Sequence, residues 1–263
     1  MKNFFLLFTM LAVTAISFSQ SQRVMVVRSY PTFTIQANID YNQSYLEFNG
    51  TYNNDFHSDE YMKGSMLGAD KGLGGSITSK IALSERGRLR LNVSLSYNNF
   101  KTYLFGRNNR ISDVGNSSIN IMSLGIGLEH NFTPNYKYKL YLGAEGTANM
   151  INGNSLIWVF VGGTPGYTYG VTIKNSFRIG AAIFGGTEYM INDKLGLSLG
   201  FKYHIANILL KSAKTSDDPY SFELRDAVDP NVQYAGKKTL AYISLMAGVN
   251  FYWGVDTKRY SIK

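Results

Sequence analysis

The sequence predicts an all-β chain: a closed, antiparallel, eight-stranded transmembrane β-barrel, an up-and-down meander with short turns at one end and long loops at the other. Three observations predict it. An apolar leader opens the chain, and no later segment approaches the roughly eighteen consecutive apolar residues of a spanning helix. Strict apolar/polar alternation over about ten residues recurs along the chain, which is the pattern of membrane-barrel strands. The linkers between these stretches alternate between tight and long.

The leader is "MKNFFLLFTMLAVTAISFSQ". Lys2 precedes an apolar run from Phe4 to Ile16, and Ser17 and Ser19 fit the small-residue positions of a cleavage site before Gln20. Residues 1–19 therefore read as a signal peptide, residues 20–29 as an N-terminal periplasmic segment, residues 30–253 as the barrel, and residues 254–263 as a mobile periplasmic tail. The chain has no Cys, so disulfides, thiolate metal sites and Cys nucleophiles are excluded.

The strands follow in order. Phe33, Ile35, Ala37, Ile39 and Tyr41 alternate with Thr34, Gln36, Asn38 and Asp40. Ile77 and Ile81 oppose Ser76, Thr78 and Lys80. Leu89, Leu91, Val93, Leu95 and Tyr97 oppose Arg88, Arg90, Asn92, Ser94, Ser96 and Asn98. Met122, Leu124, Ile126 and Leu128 oppose Ser123, Gly125, Gly127 and Glu129. Leu140, Leu142, Ala144, Ala148 and Met150 oppose Lys139, Tyr141, Glu145, Thr147 and Asn149. Phe177, Ile179, Ala181, Ile183 and Tyr189 oppose Arg178, Gly180, Gly186 and Glu188. Leu195, Leu197, Leu199, Phe201, Tyr203 and Ile205 oppose Gly196, Ser198, Gly200, Lys202 and His204. The last strand sets Ala241, Ile243, Leu245, Ala247, Val249, Phe251 and Trp253 against Tyr242, Ser244, Gly248, Asn250 and Tyr252, with Met246 the exception. "SERG", "TPNYK" and "IND" are tight turns with suitable turn residues. Residues 42–70, 105–117, 153–173 and 211–237 are the long linkers. Short turns belong on the periplasmic side, and an even strand count then puts both termini there.

Hydrocarbon cannot hydrogen-bond an open sheet edge, so the strands must close. The rival is a soluble barrel with its apolar face inside. Alternation alone does not separate the two. The polar faces do: they are mostly Gly, Ser, Thr and Asn with isolated charges, whereas a soluble exterior is about a quarter to a third charged. The lumen charges are Asp40, Lys80, Arg88, Arg90, Glu129, Glu145, Arg178, Glu188 and Lys202, with His204 beside them. They are close to neutral in sum, as buried charges require. A barrel of eight strands is just wide enough for side chains to fill, so this set reads as a plug of ion pairs before it reads as an ion pathway.

The formal charge is +8, one unit of which lies on Lys2 in the leader. The first long linker is acidic and the fourth nearly balanced, so no continuous basic stripe with stacking aromatics forms and a nucleic-acid partner is not expected.

"AGVNFYW", with Gly248, Phe251 and Trp253, resembles the C-terminal insertion signal read by the outer-membrane assembly machinery. "GLGGSITSKIALSERGRLRLNVSLSY" and "SLGIGLEHNFTPNYKYKLYLGAE" resemble the outer-membrane β-barrel domain family, similar in architecture to OmpA/OmpX-type barrels. The resemblance implies an outer-membrane location and contact with outer-membrane lipid, lipopolysaccharide and the assembly machinery. It brings no catalytic residues and no cofactor. One departure is that ten residues follow Trp253.

A catalytic barrel needs His, Ser and an acid brought together near the outer leaflet. His204 lies in the lumen, His130 at the turn end of its strand, and His57 beside Ser58 and Asp59 in a loop. "HSD" reads as a solvated loop tip, so no enzyme and no metal site are expected. The third long linker is uncharged and rich in aromatic and β-branched residues. Leu156, Trp158 and Phe160 continue the lipid-facing parity of the fifth strand, and Tyr167, Tyr169, Val171 and Ile173 that of the sixth. They read either as a protruding interaction hairpin or as the outer aromatic girdle. The function expected is structural or adhesive, through extracellular loops that contact a surface, an envelope partner or lipopolysaccharide. A narrow channel is the alternative, and a lipid-modifying enzyme the second.

Overall fold

The computed structural model describes residues 24–49, 52–53, 67–106, 114–161, 164–214, 221–228 and 237–261. The expected leader, His57 with its neighbours, and parts of the long linkers lie outside the described residues. In chain order the strands are β1 Val24–Arg28, β2 Phe33–Tyr45, β3 Tyr52–Asn53, β4 Lys71–Ala82, β5 Leu89–Gly106, β6 Val114–Asn131, β7 Tyr138–Val161, β8 Thr164–Met190, β9 Leu195–Leu209, β10 Ser221–Phe222, β11 Ala241–Trp253 and β12 Thr257–Ser261. Leu46–Phe48 forms one turn of 3-10 helix.

Eight of these strands pair antiparallel with their sequence neighbours, from β2 through β4, β5, β6, β7, β8 and β9 to β11. β11 then pairs with β2 from Ala241↔Tyr45 to Trp253↔Phe33, which closes the sheet. The turn Ser84–Gly87 joining β4 to β5 is closed by the Gly87 N–H donating to the Ser84 carbonyl at 2.8 Å. Gly87 has φ +64°, the left-handed region where a side chain is strained, and Tyr30 lies where its Cβ would be.

Alternation places the two faces, and exposure says which is outside. Ile39, Leu73, Ile126 and Leu199 are exposed, Ile39 by 74%. Lys80, Arg90, Asn92 and Glu129 are buried, Glu129 at 0% exposed. Water would drive the opposite arrangement, so this wall belongs in hydrocarbon. At the turn end of the wall stand Phe132, Tyr136, Tyr138, Tyr189 and Trp253, all exposed, as in an interfacial girdle. Phe251 and Trp253 face outward with them, whereas Tyr252 is buried in the lumen.

β7 and β8 run for 24 and 27 residues, well past the nine to eleven or so that a spanning strand needs. They pair out to Val161↔Thr164, so much of the linker expected at 153–173 is hairpin. A register shift between Ile151 and Gly153 sets two residues of β8, Lys174 and Asn175, against Asn152 of β7, one residue in excess. Such a bulge reverses the side-chain alternation beyond it. Ile173 was expected to face lipid. It is 1% exposed and packs inside the barrel, which corrects the parity read for this residue.

β1 and β12 form a separate two-stranded unit, from Val24↔Ser261 to Arg28↔Thr257. The tail expected to be mobile is thus a strand paired with the segment that precedes the barrel.

Candidate functional site

The lumen is built in layers. Near the turn end, four strands each contribute one charge. Lys80 on β4 lies 2.7 Å from Glu188 on β8 and 3.0 Å from Glu129 on β6. Arg90 on β5 donates through Nε to Glu129 at 2.5 Å and through Nη2 to Glu188 at 2.9 Å. Two acids and two bases balance, and all four side chains are 2% exposed or less. Asn92 Nδ2 donates to Glu129 at 3.1 Å, and Lys80 Nζ sits 4.0 Å from the centre of the Tyr141 ring. Space for that ring is left by glycines: a Cβ on Gly186 or Gly200 would lie 2.7 or 2.9 Å from Tyr141 Oη.

The next layer is mostly uncharged. Glu145 pairs with Lys202 at 2.8 Å and accepts from Ser94 Oγ. Gln36 donates to Asn38, Asn38 to Ser76, and Ser76 to Asp40 at 3.2 Å. A cavity of about 20 Å³ remains, lined by Lys80, Tyr141, Glu145, Phe184 and Lys202 among others, room for about one water. Above it Asn42 donates to Asn98 at 2.8 Å, and Ser244 donates to Asn42 at 2.5 Å. His204 stacks on Tyr242 with centroids 4.3 Å apart and planes 10° apart.

The loop end is apolar. Phe48, from the 3-10 turn after β2, packs against Phe100 and Tyr242, with ring centroids at 4.8 and 6.3 Å. Leu67, Ile119, Ile121, Ile151, Ile173, Leu224 and Leu240 join the cluster, each 1% exposed or less. The described parts of the first and fourth linkers, through Phe48, Leu67 and Leu224, therefore pack into the barrel mouth. Asp226 latches the fourth linker. Its carboxylate takes a two-pronged contact from Arg178 at 2.9 Å, and further donors from Asn207 Nδ2 and the Ser212 N–H. Lys238 Nζ donates to the Arg225 carbonyl at 2.9 Å. Burial and the neighbouring Arg225 guanidinium push the Lys238 ammonium down to about 8.

Of the lumen set read from sequence, Lys80, Arg90, Glu129 and Glu188 come together, and Glu145 meets Lys202. Arg178 turns to Asp226, a charge of the fourth linker. Asp40 and His204 are buried in the polar column. Arg88 is a correction. It stands in the turn before β5 and is exposed, its carbonyl accepting from the Asn131 N–H. The alternation continues through it, but strand pairing stops at Leu89, so its side chain reaches solvent at the rim. The apolar plug was also missed. Its signal was present in Phe100, Ile119, Ile121 and Ile151, apolar residues on lumen parity toward the loop ends of neighbouring strands. Leu156 is exposed, and the side chains of Trp158, Phe160, Tyr167 and Tyr169 lie outside the described residues.

A closed eight-stranded meander with an apolar exterior and a filled polar interior decides the architecture. The chain is a closed, antiparallel, eight-stranded transmembrane β-barrel. No family model matches the chain. No curated protein matches it either. Among solved structures it is similar to neisserial surface protein A, with 17% identity over 86% of this chain and 99% of that one and a TM-score of 0.47. It is similar to OprG of Pseudomonas aeruginosa, with 10% identity over 86% and 98% and a TM-score of 0.46. It is also similar to Ail, the attachment invasion locus protein of Yersinia pestis, with 8% identity over 89% and 100% and a TM-score of 0.35. Likeness at this level leaves function to the residues of this chain.

Proposed function

We propose that this barrel is exported to the outer membrane through a cleaved leader, with both termini periplasmic, and acts there by surface contact and not by conduction. The observation that supports this reading is the seal of the lumen. A water-sized gap lies between the polar layers, and a buried apolar cluster of Phe48, Leu67, Phe100, Ile119 and Leu240 stands across the loop end. An ion crossing that cluster would have to leave its water without any polar group to replace it. The extracellular linkers and the β7–β8 hairpin then carry function, toward a surface, an envelope partner or lipopolysaccharide. During assembly Gly248, Phe251 and Trp253 serve as the insertion address.

Planar-bilayer recording tests the main claim. Purified barrel should give no stable single-channel steps, and reproducible steps would restore the channel reading. Replacing Trp158 and Phe160 with Ser tests the hairpin: partner or surface binding should fall while heat-modifiable gel mobility stays intact. Unchanged binding would remove the hairpin from the interaction surface. A lipid-modifying role would show as an altered lipid A mass spectrum on expression, and none is expected.

A further inference from the structure

The outer wall changes character at one level on adjacent strands. On β5 the outward residues run Val93, Leu95, Tyr97, then Asn99 and Lys101. On β6 they run Ile126, Leu124, Met122, then Asn120 and Ser118. On β4 the exposed Leu73 is followed outward by Lys71. Register puts these changes side by side: Leu73 opposite Asn99 opposite Asn120, and one step further out Lys71 opposite Lys101 opposite Ser118.

Two features of this band call for a partner. The first is that Lys71 and Lys101 are directly opposite on the exposed face, an arrangement of like charges that destabilises a strand pair. Neither ammonium has an ion pair with a described residue. Asp70, next in the chain, accepts from Gln43 Nε2 at 3.0 Å. The second is a ladder of side-chain amides. Asn99 Nδ2 donates to Asn120 at 2.5 Å and to Ser118 Oγ at 2.8 Å, Asn120 donates to Asn152 at 3.0 Å, and Asn152 donates to Asn175 at 2.9 Å. Ser118 accepts in this ladder, so its own O–H is left to donate next to Lys101. Each amide likewise keeps donor or acceptor capacity beyond the ladder.

We infer that Lys71, Lys101 and Ser118 clamp a phosphate of the outer-leaflet glycolipid, lipopolysaccharide, and that the Asn99–Asn120–Asn152–Asn175 ladder takes its sugar hydroxyls. The inference rests on the outer-membrane orientation proposed above. The clamp lies where hydrocarbon gives way to headgroups, at the loop end. A shared anion turns the repulsion between the two ammonium groups into two charge-assisted contacts. The row of uncharged amides favours a sugar headgroup over a phospholipid, whose headgroup offers fewer hydroxyls.

The test measures binding of fluorescent lipopolysaccharide to the purified barrel in detergent. The variants are wild type and Lys71→Gln/Lys101→Gln, and the competitors are dephosphorylated lipopolysaccharide, phosphatidylglycerol micelles and inorganic phosphate. The double variant should bind about tenfold more weakly, and dephosphorylation should cost wild type the same factor and the double variant nothing. Equal binding by the two proteins, or equal competition by the dephosphorylated glycolipid, overturns the clamp. Competition by phosphatidylglycerol or inorganic phosphate as strong as by lipopolysaccharide overturns the choice of glycolipid. Lys101→Glu separates ligand binding from strand stability: it should remove the lysine repulsion and still lose lipopolysaccharide. Heat-modifiable mobility and outer-membrane fractionation are run on every variant. Failure there sinks the membrane reading, whereas normal behaviour there with unchanged affinity sinks the clamp alone.

Discussion

Glu188→Gln removes one charge from the four-charge cluster while keeping its shape. Glu188 is fully buried and faces both cations, Lys80 at 2.7 Å and Arg90 at 2.9 Å, with Tyr252 Oη at 3.5 Å. In the variant two cations share Glu129 alone, and a net positive charge is held in a closed lumen. Breaking a buried pair costs about 3–5 kcal/mol. Glu129 stays within 3.0 Å of Lys80 and bonded to Arg90, so the low end, about 3 kcal/mol, is expected. That is about a hundredfold in the folding equilibrium. The assay is reversible urea unfolding in lipid vesicles, followed by Trp fluorescence and by heat-modifiable mobility. A second change supplies the control. Adding Lys80→Met leaves one cation, Arg90, facing one anion, Glu129, so the double variant should regain part of the loss. A Glu188→Gln cost under about 0.5 kcal/mol, or a double variant whose costs simply add, would refute the view that charge balance holds this layer together.

Two further outcomes follow from the loop cap. Phe48→Ala removes a fully buried ring packed against Phe100 and Tyr242 and should loosen the cap by about 3 kcal/mol. Amide exchange at Leu67 and Ala69, whose N–H groups bond the Glu47 and Phe48 carbonyls, should speed up while barrel mobility on gels is unchanged. Lys238 titrates at about 8 in the folded cap against 10.5 ordinarily. Between those values the undocked linker binds more protons, so docking strengthens as pH rises through that window, and below about 8 the cost of burying the charge is felt in full. Subtilisin cleavage within 210–240, normalised to an unstructured substrate, should slow from pH 8 to 10. Lys238→Met should flatten the dependence.

Much of the barrel was legible because a strand has a period of two. From Tyr242 to Trp253 β11 alternates inward and outward with Met246 the one departure in residue type, and the same parity places Phe251 and Trp253 outside and Tyr252 inside. Bulges break that rule. One extra residue near Asn175 carries Ile173 from the lipid face to the core, and no local feature of "GVTIKNSF" announces it. The lumen charges were legible as a set but not as pairs. Lys80, Arg90, Glu129 and Glu188 sit on four strands, and their meeting depends on register around the closed sheet.

The amino-acid order by itself determined a membrane barrel of eight strands, its turn end, its apolar exterior and a near-neutral polar interior. Each follows from local periodicity and composition, which act over a few residues. Tertiary structure alone decided that Phe48, Leu224 and Leu240 fold inward as a plug, that Arg178 leaves the strand charges for Asp226, and that Lys71 and Lys101 stand opposite each other. These contacts join residues tens to nearly two hundred positions apart. Closing the sheet and burying the linkers bring them together, and nothing in their immediate neighbours encodes that meeting.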